Sequence, residues 1–424
     1  MRFSYGSICA SARRAEPRVR LLFALIVYGF YIQALGGLAA PFLATEFALD
    51  DAAITAIAGW IALGAFGTAA LTRLADRHGR RRVLIAAFAG IPPLALLSAL
   101  ATRVPHYVLP QIGVNALLGT LVTALAVVVA EHSPDARRAS GQAWFGFYAS
   151  LGGALALLIG AAVPLLPGGW RAFWGLAALP VLAIPFVRAR LAETERFNTA
   201  RDHGRVAATR ARDLFRGAYR RRALGLLAVA LLKPVALTAT STWPYYHMVK
   251  TLGLPPATAS LVYFVGGGIG LIGNPLGARL TNRWGRRPTS LAGTLIATAT
   301  GVAFYYVPPG GGALSPLPML IALMAANQIA TSIYSLADRC IDAELFPTAL
   351  RATYLGAARL MNAAAGVTAM FGLSVLAAPL GSLGNAIAVL SVASMIPALA
   401  IFLAVVPETR GLTLEHASLE DVSK

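Results

Sequence analysis

The feature that most constrains this chain is a series of long apolar stretches without charged residues. Residues 21–44, 83–102 and 107–130, for example, contain no Lys, Arg, Asp or Glu. A helix of about 20 residues crosses a hydrocarbon core of about 30 Å. Hydrophobic residues make up 57% of the chain and charged residues 13%, which excludes an ordinary soluble domain. No ten-residue blocks alternate with period two, so helices rather than a membrane β-barrel are predicted.

Twelve such stretches predict an all-α membrane protein with twelve transmembrane helices. The predicted spans are residues 21–43, 53–73, 83–102, 107–130, 141–165, 170–187, 223–248, 257–280, 289–307, 317–337, 350–377 and 384–406. Eleven arginines lie in residues 188–222, between the sixth and seventh spans. We interpret this segment as a basic cytoplasmic linker between a six-helix bundle at 21–187 and a second at 223–406, with tails at 1–20 and 407–424.

The distribution of charge predicts the orientation in the membrane. If both termini are cytoplasmic, 31 of the 36 Lys and Arg residues lie in the tails and cytoplasmic loops. This is the positive-inside bias of proteins in a cytoplasmic, or inner, membrane. The net charge of +18 is therefore expected to face anionic lipid headgroups rather than nucleic acid. The arginine-rich start before residue 21 superficially resembles a signal peptide, but the run is long and eleven spans follow, so we interpret it as a retained first helix.

Three short motifs return in the same order after about half the chain. Residues 74–81 read LADRHGRR and residues 280–287 read LTNRWGRR, at an offset of 206. The sequence AEHSP at 130–134 is echoed by AELFP at 343–347, and Glu193-Thr194 by Glu408-Thr409. Such duplication is typical of transporters built from two related halves around a central site.

The loop around Asp76 resembles the hallmark loop between the second and third helices of the major facilitator superfamily. That loop typically reads Gly-x-Leu-Ala-Asp-Arg-x-Gly-Arg-Lys, and here residues 76, 77 and 79–81 match it, while Thr72 replaces the leading glycine. Apart from the family, Gly79 suits a tight turn and the arginines can pair with Asp76 or with helix C-terminal carbonyls.

Further motifs are similar to those of the sugar-porter and metabolite–proton symporter branches: ELFPTALR at 344–351, PETRGLTL at 407–414 and AETERF at 192–197. The resemblance implies two pseudo-symmetric six-helix bundles and alternating access. It also implies a cytoplasmic gate of weak ion pairs whose breaking opens the carrier. The residues carried over for that gate are Asp76, Arg80, Glu131, Arg138, Glu193, Glu344, Arg351 and Glu408.

The chain departs from these branches at positions linked to proton coupling. Asn115 stands where many relatives carry an arginine in the fourth helix, and the first helix offers Tyr28, Tyr31 and Gln33 instead of an acidic residue. Proton symport is the default that the family implies. Export or exchange of an acidic metabolite is the close alternative. A non-transporting membrane sensor with the same fold is an alternative of another class. A flux measurement would distinguish such a sensor from a carrier.

Two cations within the spans predict the class of substrate. Lys233 and Arg359 lie deep in the seventh and eleventh spans. No carboxylate is expected at comparable depth, since those of the tenth span lie toward its cytoplasmic end, at Asp338, Asp342 and Glu344. Buried charges are costly and usually functional. We therefore predict a small organic anion such as a carboxylate. Snorkelling of Lys233 and a helix-end role for Arg359 are the alternatives.

Neutral polar residues complete the predicted binding site. These are Tyr28, Tyr31, Gln33 and Asn115 in the first half, and Asn327 and Gln328 in the tenth span. Trp243, Tyr245 and Tyr246 raise the opposite hypothesis of a quaternary ammonium held by cation–π attraction. An interfacial aromatic belt is the favoured interpretation of these three rings.

No motif indicates an enzyme or a cofactor. The glycines at 268, 270 and 273 match a dinucleotide fingerprint but lie within a span, where small residues allow close helix packing. Cys9 and Cys340 give neither a disulfide framework nor metal-ligand spacing. The expected partners are a small-molecule substrate, protons and the lipid bilayer, and the carrier is expected to be a monomer.

Overall fold

The computed structural model describes residues 17–132, 138–191, 214–216, 219–309 and 316–410. For residues 17–19, 75–78, 80, 130–132, 138–140, 142, 143, 348 and 349 it describes the backbone alone. Most of the predicted linker and the gate residue Glu193 therefore lie outside the described residues. The side chains of the gate residues Asp76, Arg80, Glu131 and Arg138 do so as well.

The described residues fold into helices that follow the predicted spans. The helices are α1 (Pro17–Glu46), α2 (Asp51–Ala62), α3 (Gly64–His78), α4 (Arg80–Ala99), α5 (Val104–His132), α6 (Arg138–Ala162), α7 (Arg171–Ala178), α8 (Ile184–Arg190), α9 (Tyr219–Thr242), α10 (Pro256–Gly270), α11 (Gly273–Arg283), α12 (Arg286–Ala303), α13 (Leu317–Glu344), α14 (Thr348–Ala377) and α15 (Leu383–Val405). Short 3₁₀ segments cover Val163–Leu165, Leu179–Ala183 and Phe304–Tyr306, and a helical turn and a π-helical turn cover Pro244–Tyr246 and His247–Thr251.

Eleven candidate spans are long and apolar enough to cross a membrane within the part of the chain described. The predicted second span forms from α2 and α3 together, and the predicted eighth from α10 and α11. The predicted ninth span, residues 289–307, corresponds to α12 and is not one of the eleven. Its two leading arginines and its Ser and Thr residues make its 18 residues less apolar than the others. The prediction of an all-α membrane fold is confirmed.

The chain divides into two compact units. Among the described residues, unit 1 holds those up to Gly36, Gly64–Ile159 and residues 165–191. Unit 2 holds Gly37–Leu63, Gly160–Pro164 and the residues from 214 onward. The division into bundles at 21–187 and 223–406 remains a prediction.

Each unit has its own apolar core. In unit 1, Leu84, Ile91 and Leu121 are fully buried. In unit 2, the rings of Phe346 and Tyr354 stack with their centroids 4.4 Å apart. These two rings belong to a buried apolar cluster contributed by α9, α13, α14 and α15.

The duplicated basic loops have the same local conformation in both units. Gly79 precedes α4 with φ 97°, and Gly285 precedes α12 with φ 106°. Residues with a side chain rarely adopt these angles, so glycine is required at both turns. Arg81 donates from Nη2 to the carbonyl of Arg188 over 2.8 Å, and Arg287 donates from Nη2 to the carbonyl of Leu403 over 2.6 Å. The duplication seen in the sequence is therefore also a duplication of structure.

Candidate functional site

A cavity of about 470 Å³ opens within unit 2. Residues of α9 and α13 form most of its lining, and α14 and α15 contribute a few more. Its volume lies in the range of small-molecule sites, about 300–1,000 Å³. Apolar side chains such as Leu226, Val229 and Phe402 share the lining with ionisable and amide groups. Such a lining suits a solute with one apolar part and one charged part.

Lys233 is the buried cation of this cavity, and its side chain is 7% exposed. Its Nζ donates to Asp338 Oδ2 over 2.7 Å and to Ser290 Oγ over 3.3 Å. The Ser290 hydroxyl in turn donates to Asp338 Oδ1 over 2.5 Å. Side chains from α9, α12 and α13 thus form one hydrogen-bonded network around the ammonium.

Two aromatic rings also lie near the ammonium of Lys233. Its Nζ is 4.8 Å from the ring centroid of Tyr334 and 5.8 Å from that of Phe402. Both distances allow cation–π attraction, which is strongest where water is excluded. The carboxylate, the hydroxyl and the rings together hold a charge that would otherwise be costly to bury.

This ion pair corrects the expectation that no carboxylate lies at the depth of Lys233. The predicted tenth span ends at residue 337, whereas α13 continues to Glu344 and carries Asp338 within the helix. Since residues three or four apart lie on one helical face, Thr331, Tyr334, Asp338 and Asp342 form a polar stripe. That spacing was the signal in the sequence, and all four residues line the cavity.

A second carboxylate lies one helical turn beyond Asp338. The hydroxyl of Tyr354, on α14, donates to Asp342 Oδ1 over 2.8 Å. Tyr354 is 2% exposed. The two carboxylates are thus held differently, one by an ammonium and a serine, the other by a tyrosine hydroxyl.

The amide residues predicted for the tenth span both line the cavity. Asn327 donates from Nδ2 to the carbonyl of Ala297 over 2.7 Å, so its side chain is oriented by α12. Gln328 is half-buried and lies against Gly270 of α10, where an added Cβ would overlap it. Both residues line the cavity, and their contact with a substrate remains a prediction.

The helix that carries Lys233 is continuous, although it contains Pro234. Helix α9 runs without interruption from Tyr219 to Thr242. Proline lacks an N–H, so it cannot bond the carbonyl of Ala230 one turn earlier. Ala230 and Pro234 both line the cavity. The proline therefore changes the polarity of the wall rather than ending the helix.

Arg359 does not share the environment of Lys233. Its side chain is exposed, and the cavity is lined instead by its neighbours Ala358 and Asn362. The reason is helical geometry, because a residue next to a buried position points about 100° away from it. Its role in substrate binding remains a prediction.

The tyrosines predicted to bind substrate in unit 1 are hydrogen-bonded to the protein itself. Tyr28 donates to the carbonyl of Ala177 over 3.0 Å, and Tyr31 donates to that of Phe173 over 3.1 Å. Both rings are buried, which places them in the packing of α1 against α7. Gln33 is exposed, and Asn115 is half-buried on α5 beside Gly64.

We expect Tyr31→Phe to lower the free energy of unfolding by about 1 kcal/mol, because one buried hydrogen bond is lost while the ring remains. Thermal unfolding of the purified protein measures this loss, and Tyr28→Phe is the matched comparison. If Tyr31→Phe instead lowered the affinity for a substrate without lowering stability, the hydroxyl would take part in binding, as the sequence predicted.

Three of the gate residues can be placed from their side chains. Glu344 Oε1 accepts a hydrogen bond from Arg286 Nη2 over 3.0 Å, and Glu344 Oε2 accepts one from Thr409. Arg351 donates from Nη2 to the carbonyl of Phe346 over 3.2 Å. Glu408 accepts three backbone N–H groups, two of them from the start of α12. Their gating role remains a prediction.

The aromatic residues at the end of the seventh span are inside the protein rather than at an interfacial belt. Trp243, Tyr245 and Tyr246 are each 2% exposed. The hydroxyl of Tyr246 donates to Asp51 Oδ1 over 2.8 Å, and Asp51 Oδ2 accepts the backbone N–H of Leu383 over 3.2 Å. All of these residues belong to unit 2, so the three rings are part of its packing.

Comparison with known proteins identifies the family. The family model described as Major Facilitator Superfamily matches residues 21–370 and 244–421. The chain belongs to the Major Facilitator Superfamily. It is therefore a multi-pass membrane transport protein and not an enzyme, as the sequence predicted.

Solved structures of this superfamily share the fold. The xylose transporter XylE from E. coli, in an inward open conformation, superposes with a TM-score of 0.71 at 20% identity, over 95% of this chain and 99% of that one. The nucleoside transporter NupG superposes with a TM-score of 0.72 at 12% identity, over 91% and 99% of the two chains. At such identities the likeness shows the major facilitator fold alone.

Two curated members of the superfamily are similar in sequence. A protein of Cupriavidus pinatubonensis, named as a probable 4-methylmuconolactone transporter, is 26% identical over 378 residues, 87% of this chain and 82% of its own length. The 3-(3-hydroxy-phenyl)propionate transporter of Escherichia coli is 29% identical over 195 residues, 44% of this chain and 47% of that one.

Proposed function

We propose that this carrier moves a small organic carboxylate across the cytoplasmic membrane by alternating access, with protons as the coupling ion. The observation that carries the proposal is the ammonium of Lys233 in the wall of a cavity of about 470 Å³. A carboxylate recognises an ammonium through charge-assisted hydrogen bonds, which are about twice as strong as neutral ones. The apolar lining suits the remainder of an organic acid.

The relatives support this substrate class. One of them is named for a propionate that carries a hydroxyphenyl ring, and a propionate is a carboxylate. Phe402 and Leu226 on the cavity wall offer apolar surface to such a ring, and Asn327 and Gln328 offer hydrogen bonds to a hydroxyl. The proposal extends to aromatic and aliphatic acids of similar size.

The pairing of Lys233 with Asp338 determines how the anion would bind. An ammonium has three N–H donors, and the carboxylate of Asp338 and the hydroxyl of Ser290 accept two of them. A substrate carboxylate either takes the third donor or displaces Asp338. In both cases it competes with a carboxylate that the protein already holds there, so moderate affinity and easy release are expected.

The first experiment is a thermal-stabilisation panel on the purified carrier. The probes are 3-(3-hydroxyphenyl)propionate, its uncharged amide, benzoate, glycine betaine and choline. A ligand at 100 times its Kd stabilises a protein by about 2.7 kcal/mol, which raises Tm measurably. We expect stabilisation by the carboxylates and none by the amide or the quaternary amines.

Three outcomes would contradict the proposal or its coupling ion. Stabilisation by glycine betaine and choline alone would indicate a cation site, for which the rings of Trp243, Tyr245 and Tyr246 are the candidates. Carboxylate binding without flux into liposomes would favour the membrane sensor. Flux that responds only to a second anion across the membrane would favour anion exchange over proton symport.

A further inference from the structure

Two carboxylates lie on the cavity wall one helical turn apart on α13, at Asp338 and Asp342. The ammonium of Lys233 lies on the same wall, on α9. We propose that the pair Asp338 and Asp342 binds the proton that accompanies the substrate anion. This inference rests on the proposed function and assigns its coupling to unit 2. The positions linked to coupling in the resembling branches hold neutral side chains here, Asn115 and the tyrosines of α1.

The two carboxylates differ in whether a positive charge lies against them. Asp338 accepts a hydrogen bond from the ammonium of Lys233 over 2.7 Å and one from the hydroxyl of Ser290 over 2.5 Å. Asp342 accepts the neutral hydroxyl of Tyr354 over 2.8 Å. One cation is therefore in direct contact with one of two neighbouring carboxylates.

The charged groups around Asp342 come from several elements. Lys233 faces it from α9 and Tyr354 from α14, Asp338 and Arg339 share α13 with it, and the side chain that α15 contributes is the uncharged Phe402. Arg339 is exposed and donates from Nε to the carbonyl of Ser335 in its own helix, over 3.0 Å. Farther along the same end of α13, Glu344 pairs with Arg286, and Arg222 donates to the carbonyl of Leu345.

The charge balance of the cavity favours a cation that accompanies the anion. Its lining has two positive groups, Lys233 and Arg339, and two negative groups, Asp338 and Asp342, so the sum of +2 and −2 is zero. A substrate carboxylate changes the sum to −1, and one proton returns it to zero. Since opposite charges in one cavity attract each other, anion and proton favour each other's binding.

The step itself is a proton binding from water. When the substrate carboxylate takes the ammonium of Lys233, Asp338 keeps the Ser290 hydrogen bond and loses its cation. Two adjacent carboxylates without a cation bind one proton readily, and the proton belongs to the pair rather than to one residue. An O–H bond forms on the pair from a solvent proton. It breaks again when the substrate leaves and Asp338 regains Lys233.

Transport into liposomes by the full-length carrier tests this inference. With radiolabelled 3-(3-hydroxyphenyl)propionate and an interior one pH unit more alkaline, one proton per anion drives about tenfold accumulation in the wild type. We expect Asp342→Asn to accumulate to a ratio of about 1, while exchange of labelled for unlabelled probe across the membrane remains measurable. The matched control is Asp50→Asn, an exposed helix cap outside the cavity, which is expected to accumulate like the wild type.

The outcomes separate this inference from the proposed function. If Asp342→Asn accumulates the probe like the wild type, the carboxylate pair is not the proton site. If Asp342→Asn shows no exchange of probe, the Tyr354→Phe variant tests the proton site instead. This variant keeps both carboxylates and removes one hydrogen bond to Asp342. A pH profile of uptake displaced from that of the wild type supports the inference, and an unchanged profile overturns it. If the wild type neither binds nor exchanges the panel's carboxylates, the proposed function itself fails, and the inference fails with it.

Discussion

Replacing Lys233 with methionine is expected to weaken the binding of 3-(3-hydroxyphenyl)propionate by about 10- to 150-fold. A hydrogen bond to a charged group contributes about 1.5–3 kcal/mol, and each 1.4 kcal/mol is a factor of ten in Kd. Methionine fills a similar volume without charge, so the cavity wall keeps its shape. Isothermal calorimetry or the Tm shift of the purified carrier measures the loss.

Asp338 complicates the interpretation of that variant, because it would lose its cation. An uncompensated carboxylate repels the substrate and also costs stability, about 1–3 kcal/mol for a polar group left without its partner. Its side chain is 31% exposed, so water offsets part of this cost. The double variant Lys233→Met/Asp338→Asn removes both charges. We expect it to recover stability while the affinity for the carboxylate stays low.

Two further variants serve as controls for the charge argument. Asp338→Asn leaves Lys233 without its competing carboxylate, so anion binding is expected to persist or to strengthen. Lys233→Arg keeps the positive charge and should bind more tightly than Lys233→Met. Unchanged carboxylate affinity in Lys233→Met would show that the ammonium serves the protein's own network and not the substrate.

The fold could be predicted from the sequence because lipid allows few solutions. Apolar stretches of about 20 residues must be helical there, since backbone groups in the hydrocarbon core have no water to bond. Helix α12 shows the limit of that argument, because its Ser and Thr residues and leading arginines lower its apolarity. The duplicated loop around Gly285 nevertheless identified helix α12 as part of a repeated unit.

The candidate site could be predicted only in part, since it depends on where helices end and which way side chains point. Lys233 was found because a cation within an apolar stretch is conspicuous. Asp338 was expected at the cytoplasmic end of the tenth span, away from Lys233, whereas α13 continues through it and brings its carboxylate to the ammonium. The partner of Tyr31 could not be predicted either, because it is a backbone carbonyl 142 residues away, a contact that no local pattern reveals.

Glu408→Ala is expected to lower the free energy of unfolding by about 1–3 kcal/mol, because its carboxylate caps the start of α12. Its Oε1 accepts the N–H of Arg286 over 3.0 Å, and its Oε2 accepts that of Arg287 over 3.1 Å. The first N–H groups of a helix have no partner within it, and negative charge is favourable there. Losing a hydrogen-bonding carboxylate from such a position leaves these donors unpaired. Thermal and denaturant unfolding in detergent measure the loss, and Glu408→Gln should recover part of it.

Gly285 makes this capping contact possible, which gives a double-mutant test. A Cβ at position 285 would lie 2.5 Å from Glu408 Oε2, at a φ of 106°. Gly285→Ala is thus expected to cost about 1–3 kcal/mol from the backbone conformation alone, and more from displacing the carboxylate. Gly79→Ala, at φ 97° in unit 1, is the matched variant for the backbone cost.

The coupling between the two positions tests whether Gly285 serves to admit the Glu408 carboxylate. If Gly285 exists to admit the carboxylate, Gly285→Ala costs less in the Glu408→Ala background than in the wild type, because the displaced group is already gone. Additive effects would mean that the two residues act separately. A cap that holds three backbone N–H groups in one compact unit predicts the non-additive result.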